Sequence, residues 1–129
     1  MGEMTKQLLL LSIDRDLAYL DSIESWFNRN GFQVTAVDAP SRADQVVKLN
    51  QFCAAIFVCS DIDNLCPDEL VGLTAESFPT ALLTDCDNAE TKTAAGEIGI
   101  DRIVVKPIRM DDLKSVLSEQ IAQSSDHTT

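Results

Sequence analysis

Basic residues are scarce in this chain. Ten lysines and arginines face 21 aspartates and glutamates, a formal net charge of -11 over 129 residues. That balance excludes the basic footprint of a nucleic-acid binder and opposes docking on anionic membranes. It favours a soluble protein with basic partner surfaces. Aromatics are few, with one Trp, one Tyr and five Phe. The core must therefore come from Leu, Ile, Val and Ala, as in sheets covered by helices on both faces. The run Leu8–Leu11 is far too short to cross a bilayer, and Met1–Gln7 is too short and polar for a signal peptide. The four cysteines, Cys53, Cys59, Cys66 and Cys86, contain no C-x-x-C pair. They read as reduced thiols of a cytoplasmic protein, with a Cys66–Cys86 disulfide or a metal site as the alternative. The lone histidine, His127, lies in a polar tail, Ser124–Thr129.

What is present is an alternation of strand and helix. Gln7–Ile13 (QLLLLSI) predicts a strand buried on both faces. Apolar residues then switch to helical spacing at Leu17, Leu20, Ile23 and Phe27, with Trp26 at the flank and Gly31 as the stop. Asp14 or Asp16 can cap that helix. Gln33–Val37 is the second strand. Pro40 and Ser41 open a second helix with Ala43, Val46 and Val47 inward. Cys53–Ser60 (CAAIFVCS) is the third strand, and a short helix is expected from Pro67 or Asp68. Thr80–Thr84 is the fourth strand. Ala89–Ile98 is a weak helix with only Ala and Ile98 to bury. Arg102–Val105 is the fifth strand, and Met110–Gln123 the last helix, with Leu113, Val116, Leu117 and Ile121 inward. Such alternation implies a parallel α/β sheet with right-handed crossovers.

In open parallel sheets, ligands sit at the carboxyl ends of the strands. Asp14 ends the first strand, Asp61 the third, Thr84 the fourth and Lys106 the fifth. A lysine that finishes a buried strand requires an anion nearby. Two carboxylates, a hydroxyl and an ammonium are the parts that handle a phosphoryl group. A carboxylate attacks to form an acyl phosphate, the lysine and hydroxyl hold phosphate oxygens, and a second carboxylate helps bind Mg²⁺.

"FPTALLT" followed by "AGEIGIDRIVVKPIRMDDL" resembles the fourth-strand threonine, Gly-Ala-Asp region and Lys-Pro signature of bacterial response-regulator receiver domains. "FVCSDI" resembles that family's third strand ending in the phospho-acceptor aspartate, at Asp61, and Asp68 matches an aspartate of the following loop. The likeness spans Gln7 to Ala122. It implies a flavodoxin-like, doubly wound five-stranded parallel sheet of order 2-1-3-4-5 with five helices. It also implies a receiver-like domain over residues 1–123, leaving 124–129 as a tail or linker, and a cis bond between Lys106 and Pro107. The implied site has Asp61, Thr84 and Lys106 around the phosphoryl group and Asp14, Asp61 and Asp63 around Mg²⁺.

Departures from the family pattern are specific. "SIDRD" puts Arg15 at the second acidic position after the first strand, where the family has a metal-touching carboxylate. A shifted register would put Ser12 and Ile13 at the two acidic positions instead. Leu65 replaces a loop proline, and Ile103 stands where the family carries its switch aromatic. Ungapped counting from the first strand would make Cys59 the acceptor, but Cys59 extends an apolar run. The expected function is a non-enzymatic, cytoplasmic signalling module with weak or absent Mg²⁺ binding and weakened aspartyl phosphorylation. Its expected partners are a histidine kinase or another signalling protein, an output domain in the parent protein, and a second copy through the fourth helix, fifth strand and fifth helix. A working receiver phosphorylated on Asp61 is the alternative. The D-x-D of "DIDN" also fits an aspartate-nucleophile phosphohydrolase, although the chain is short, its strand would come third and no acidic pair follows Lys106 at a strand end.

Overall fold

The computed structural model describes residues 6–13, 17–38, 40–49, 52–59, 70, 78–85, 88–106 and 108–126. In chain order the elements are β1 (Lys6–Ser12), α1 (Leu17–Arg29), β2 (Phe32–Val37), α2 (Pro40–Leu49), β3 (Ala54–Val58), β4 (Thr80–Thr84), α3 (Ala89–Ile98), β5 (Arg102–Val105) and α4 (Met110–Asp126). The five strands form one sheet of order β2-β1-β3-β4-β5, and every pairing is parallel. This is the doubly wound, flavodoxin-like arrangement. Four helices are described rather than five. The short helix expected from Pro67 or Asp68 lies outside the described residues except for Leu70, which is helical and fully buried.

Strand composition follows position in the sheet. The inner strands β3 and β4 are buried at every residue, and Leu8–Leu11 of β1 have no exposed surface. The edge strands β2 and β5 carry polar and half-exposed residues instead. Side chains alternate across the sheet with a period of two. Leu8, Leu10, Ile56, Val58, Leu83 and Val104 pack with Leu20, Ile23 and Phe27 of α1 and Leu113 and Leu117 of α4. Leu9, Leu11, Phe57, Cys59 and Leu82 face the other way, onto Ala43 and Val47 of α2 and Ala95 and Ile98 of α3. The scarce aromatics are concentrated. Trp26, Phe27 and Phe32 stack edge to face at 5.1 and 5.2 Å, closing the bottom of α1 onto β2.

Helix ends are set by local chemistry. Gly31, at φ +97°, turns the chain out of α1 into β2, a conformation that favours glycine. The Asn88 side chain caps α3 by accepting from the Thr91 amide at 2.9 Å and its hydroxyl at 3.0 Å. Thr91 is therefore buried with Ala95 and Ile98, where the sequence had suggested that only Ala and Ile98 face inward. The last helix runs on to Asp126 rather than stopping at Gln123, as no glycine or proline interrupts it.

A polar knot ties the amino ends of β4 and β5 together. Asp101 accepts the Thr80 amide at 2.9 Å, and the Asp101 amide donates to the Thr80 hydroxyl at 3.1 Å. Gln120 of α4 donates to the Thr80 carbonyl at 3.1 Å. The knot lies at the end of the sheet opposite Thr84 and Lys106 and fixes the two strands in register.

Candidate functional site

The carboxyl rim is assembled by strand register. Ser12 pairs with Val58, Val58 with Leu83, and Leu83 with Val104, so the strands end nearly level. Pairing continues one residue past the strands. The Ile13 amide donates to Val58 at 2.9 Å, the Cys59 amide to Leu83 at 3.0 Å, and the Lys106 amide to the Thr84 carbonyl at 2.7 Å. The last bond sets the backbone of Lys106 against that of Thr84. Ser12 and Thr84 are both buried.

Lys106 is held by more than its backbone. Its side chain is only 15% exposed, and its ammonium lies 3.3 Å from Oδ1 of Asp85. The same ammonium sits 4.5 Å from the centre of the Tyr19 ring of α1. Alternation explains this geometry. Val104 faces α1 and α4, so Lys106, two residues on, emerges on the same side and meets Tyr19. A cation over an aromatic face contributes about 0.5–2 kcal/mol, more as water is excluded. Asp85 is 58% exposed, so its ion pair is screened and is worth at most about 1 kcal/mol.

Of the site residues expected from sequence, Thr84 and Lys106 are brought to the same rim on adjacent strands. Asp14, Arg15, Asp61 and Asp63 lie outside the described residues, as do Leu65, Cys66, Asp68, Cys86, Pro107 and His127. Ile103 is half-buried on β5 and packs against the cluster that contains Leu82, Ala95 and Ile98. Cys59 is 1% exposed within that same cluster, so its side chain belongs to the core. Cys53, by contrast, is only half-buried.

Asp85 is the residue that reading the sequence missed. The signal was present: Lys106 called for an anion, and Asp85 follows Thr84 directly on the neighbouring strand. The described part of the rim offers two hydroxyls, an ammonium and a carboxylate already facing that ammonium. The carboxylates expected to hold Mg²⁺, Asp14, Asp61 and Asp63, are not part of this described donor set. Among the described residues no group of three or more His, Cys, Asp or Glu side chains is placed to hold a metal ion.

No protein-family model matches the chain, and no curated protein matches it. Solved structures do. A CheY-like response regulator receiver domain protein from Methanospirillum hungatei superposes with a TM-score of 0.80 at 18% identity, over 96% of this chain and 99% of that one. The receiver domain of a Pseudomonas aeruginosa sensor histidine kinase, with magnesium coordinated in its active-site cleft, superposes with a TM-score of 0.77 at 17% identity, over 92% and 99%. A Burkholderia pseudomallei response regulator carrying a phosphorylated aspartic acid gives 0.75 at 14%, over 95% and 72%. The chain has the CheY-like receiver fold. Among the described residues no helix is long and apolar enough to cross a membrane.

Proposed function

We propose that the chain is a receiver-like signalling module that works through protein contacts, with aspartyl phosphorylation weakened or lost. The observation that carries the receiver-like part of this reading is Lys106 at the carboxyl rim of a receiver fold, bonded to the strand that ends in Thr84. That pair is the phosphate-holding half of the chemistry. The metal-holding half is where the sequence departs. Arg15 replaces a carboxylate at the position after Asp14. Two unit charges about 4 Å apart interact by about 1 kcal/mol in water and about 4 kcal/mol at an effective dielectric of 20, and a divalent ion doubles each term. An inward Arg15 would lower Mg²⁺ affinity at Asp14, Asp61 and Asp63 by several kcal/mol on this scale. Ile103 removes the second device, because a branched aliphatic packed into a core cluster does not swing as a ring does.

The partner surface of this reading is the face of α3, β5 and α4. Val105 of β5 is 37% exposed, the one large apolar side chain among the described residues that stands open to solvent. An effector such as an output domain, or a second copy, would dock there, and a histidine kinase or other signalling protein is the further partner of this reading. The module is read as cytoplasmic and non-enzymatic.

Incubation with Mg²⁺ and acetyl phosphate, followed by intact-mass measurement, tests the proposal. No stoichiometric phosphoryl adduct is expected. A stoichiometric adduct that disappears in Asp61→Asn would instead establish a working receiver, the reading favoured by Asp61 in "FVCSDI" and the retention of Thr84 and Lys106.

A further inference from the structure

We propose that Asp85 is a built-in carboxylate competitor at Lys106, which keeps phosphoanions out of the rim. The inference rests on the signalling reading above and deepens it, since it concerns how the same site is regulated. Asp85 Oδ1 stands 3.3 Å from the Lys106 ammonium, in the position an incoming phosphate oxygen would want. The Tyr19 ring, 4.5 Å from that ammonium, adds a further hold on the α1 side. The Lys106 amide is bonded to Thr84 at 2.7 Å, so the stem of the side chain starts from a fixed point. An ammonium anchored at its root and engaged at its tip is not freely offered to a ligand.

Charge strengthens the exclusion. A phosphate that reaches Lys106 must sit within a few ångströms of the Asp85 carboxylate. Like charges repel there even in high dielectric, and twice as strongly when the ligand is a dianion. Asp85 is 58% exposed and Lys106 15%. The carboxylate is thus the more solvent-open member of the pair. Exposure also means that Asp85 can be replaced without opening the core.

Titration of the full chain with inorganic phosphate, without Mg²⁺, followed through the amide NMR signals of Thr84 and Lys106, tests the inference. Asp85→Asn is expected to bind phosphate about fivefold to tenfold more tightly than the unaltered chain. Lys106→Met is expected to abolish the response in both backgrounds. Asp85→Ser, which removes the charge with a smaller side chain, should reproduce the gain. An affinity for Asp85→Asn within about twofold of the unaltered chain, or below it, overturns the proposal, because a merely structural pair would leave Lys106 worse placed when broken. Absence of binding in every variant overturns it too, as does a response that survives Lys106→Met. These results are separate from the acetyl phosphate experiment. A stoichiometric Asp61 adduct would end the degenerate reading while leaving the phosphate affinities to be judged on their own.

Discussion

Replacing Asp101 by alanine takes away the carboxylate that accepts the Thr80 amide at 2.9 Å. The contact of the Thr80 hydroxyl with the same oxygen, at 3.4 Å, is too long to count for much. The bond from the Asp101 amide to the Thr80 hydroxyl is made by backbone and survives the change. The net loss is one charge-assisted bond to a buried residue, as Thr80 is 1% exposed. Leaving a buried donor unpaired costs about 1–3 kcal/mol. Asp101 itself faces solvent, so a water can follow the truncation, which puts the expectation at about 1–2 kcal/mol. Asp101→Asn keeps an oxygen acceptor without the charge and should cost about half as much. Urea unfolding followed by circular dichroism measures both. With a slope of about 2 kcal/mol per molar urea, Asp101→Ala lowers the midpoint by about 0.5–1 M at unchanged slope. A midpoint within about 0.2 M of the unaltered chain, or an Asn variant as damaged as the Ala variant, would refute the reasoning.

Three further substitutions test the fold. Phe27→Ala empties a fully buried site between α1 and the sheet and should cost about 3–5 kcal/mol by the same urea assay. Gly96→Ala lies in the exposed interior of α3 with no atom near the added Cβ, so stability should rise by about 0.5–1 kcal/mol. Gly31→Ala also meets no neighbouring atom, but its φ of +97° strains any side chain, and a loss of about 1–2 kcal/mol is expected in thermal unfolding. Equal signs for the two glycine changes would contradict the backbone argument.

The sheet could be read from the sequence because its signals are local. Pro79, the Asn88 cap and Gly99 at φ +95° punctuate the stretch from β4 to β5, and Thr80–Thr84, Ala89–Ile98 and Arg102–Val105 coincide with their expected bounds. Elsewhere the bounds move by a few residues: β1 begins at Lys6, β2 at Phe32 and β3 at Ala54. Long-range polar pairings were not readable. Thr80 meets Asp101 across 21 residues and Gln120 across 40, and neither separation carries a periodic signal. Lys106 and Thr84 were found because each ends an apolar strand. Asp85 was passed over because its importance appears only once β4 and β5 are known to be neighbours in register. Asp14 and Asp61 were named by the same strand-end argument and Asp63 by motif position, and all three lie outside the described residues.

The most direct measurement is a Mg²⁺ titration of the full chain, followed through the amide signals of Thr84, Asp85 and Lys106. A rim whose metal-binding half carries Arg15 should give no saturable movement of those signals at millimolar Mg²⁺. A saturating shift at Thr84 and Lys106 that is lost in Asp61→Asn would contradict the account.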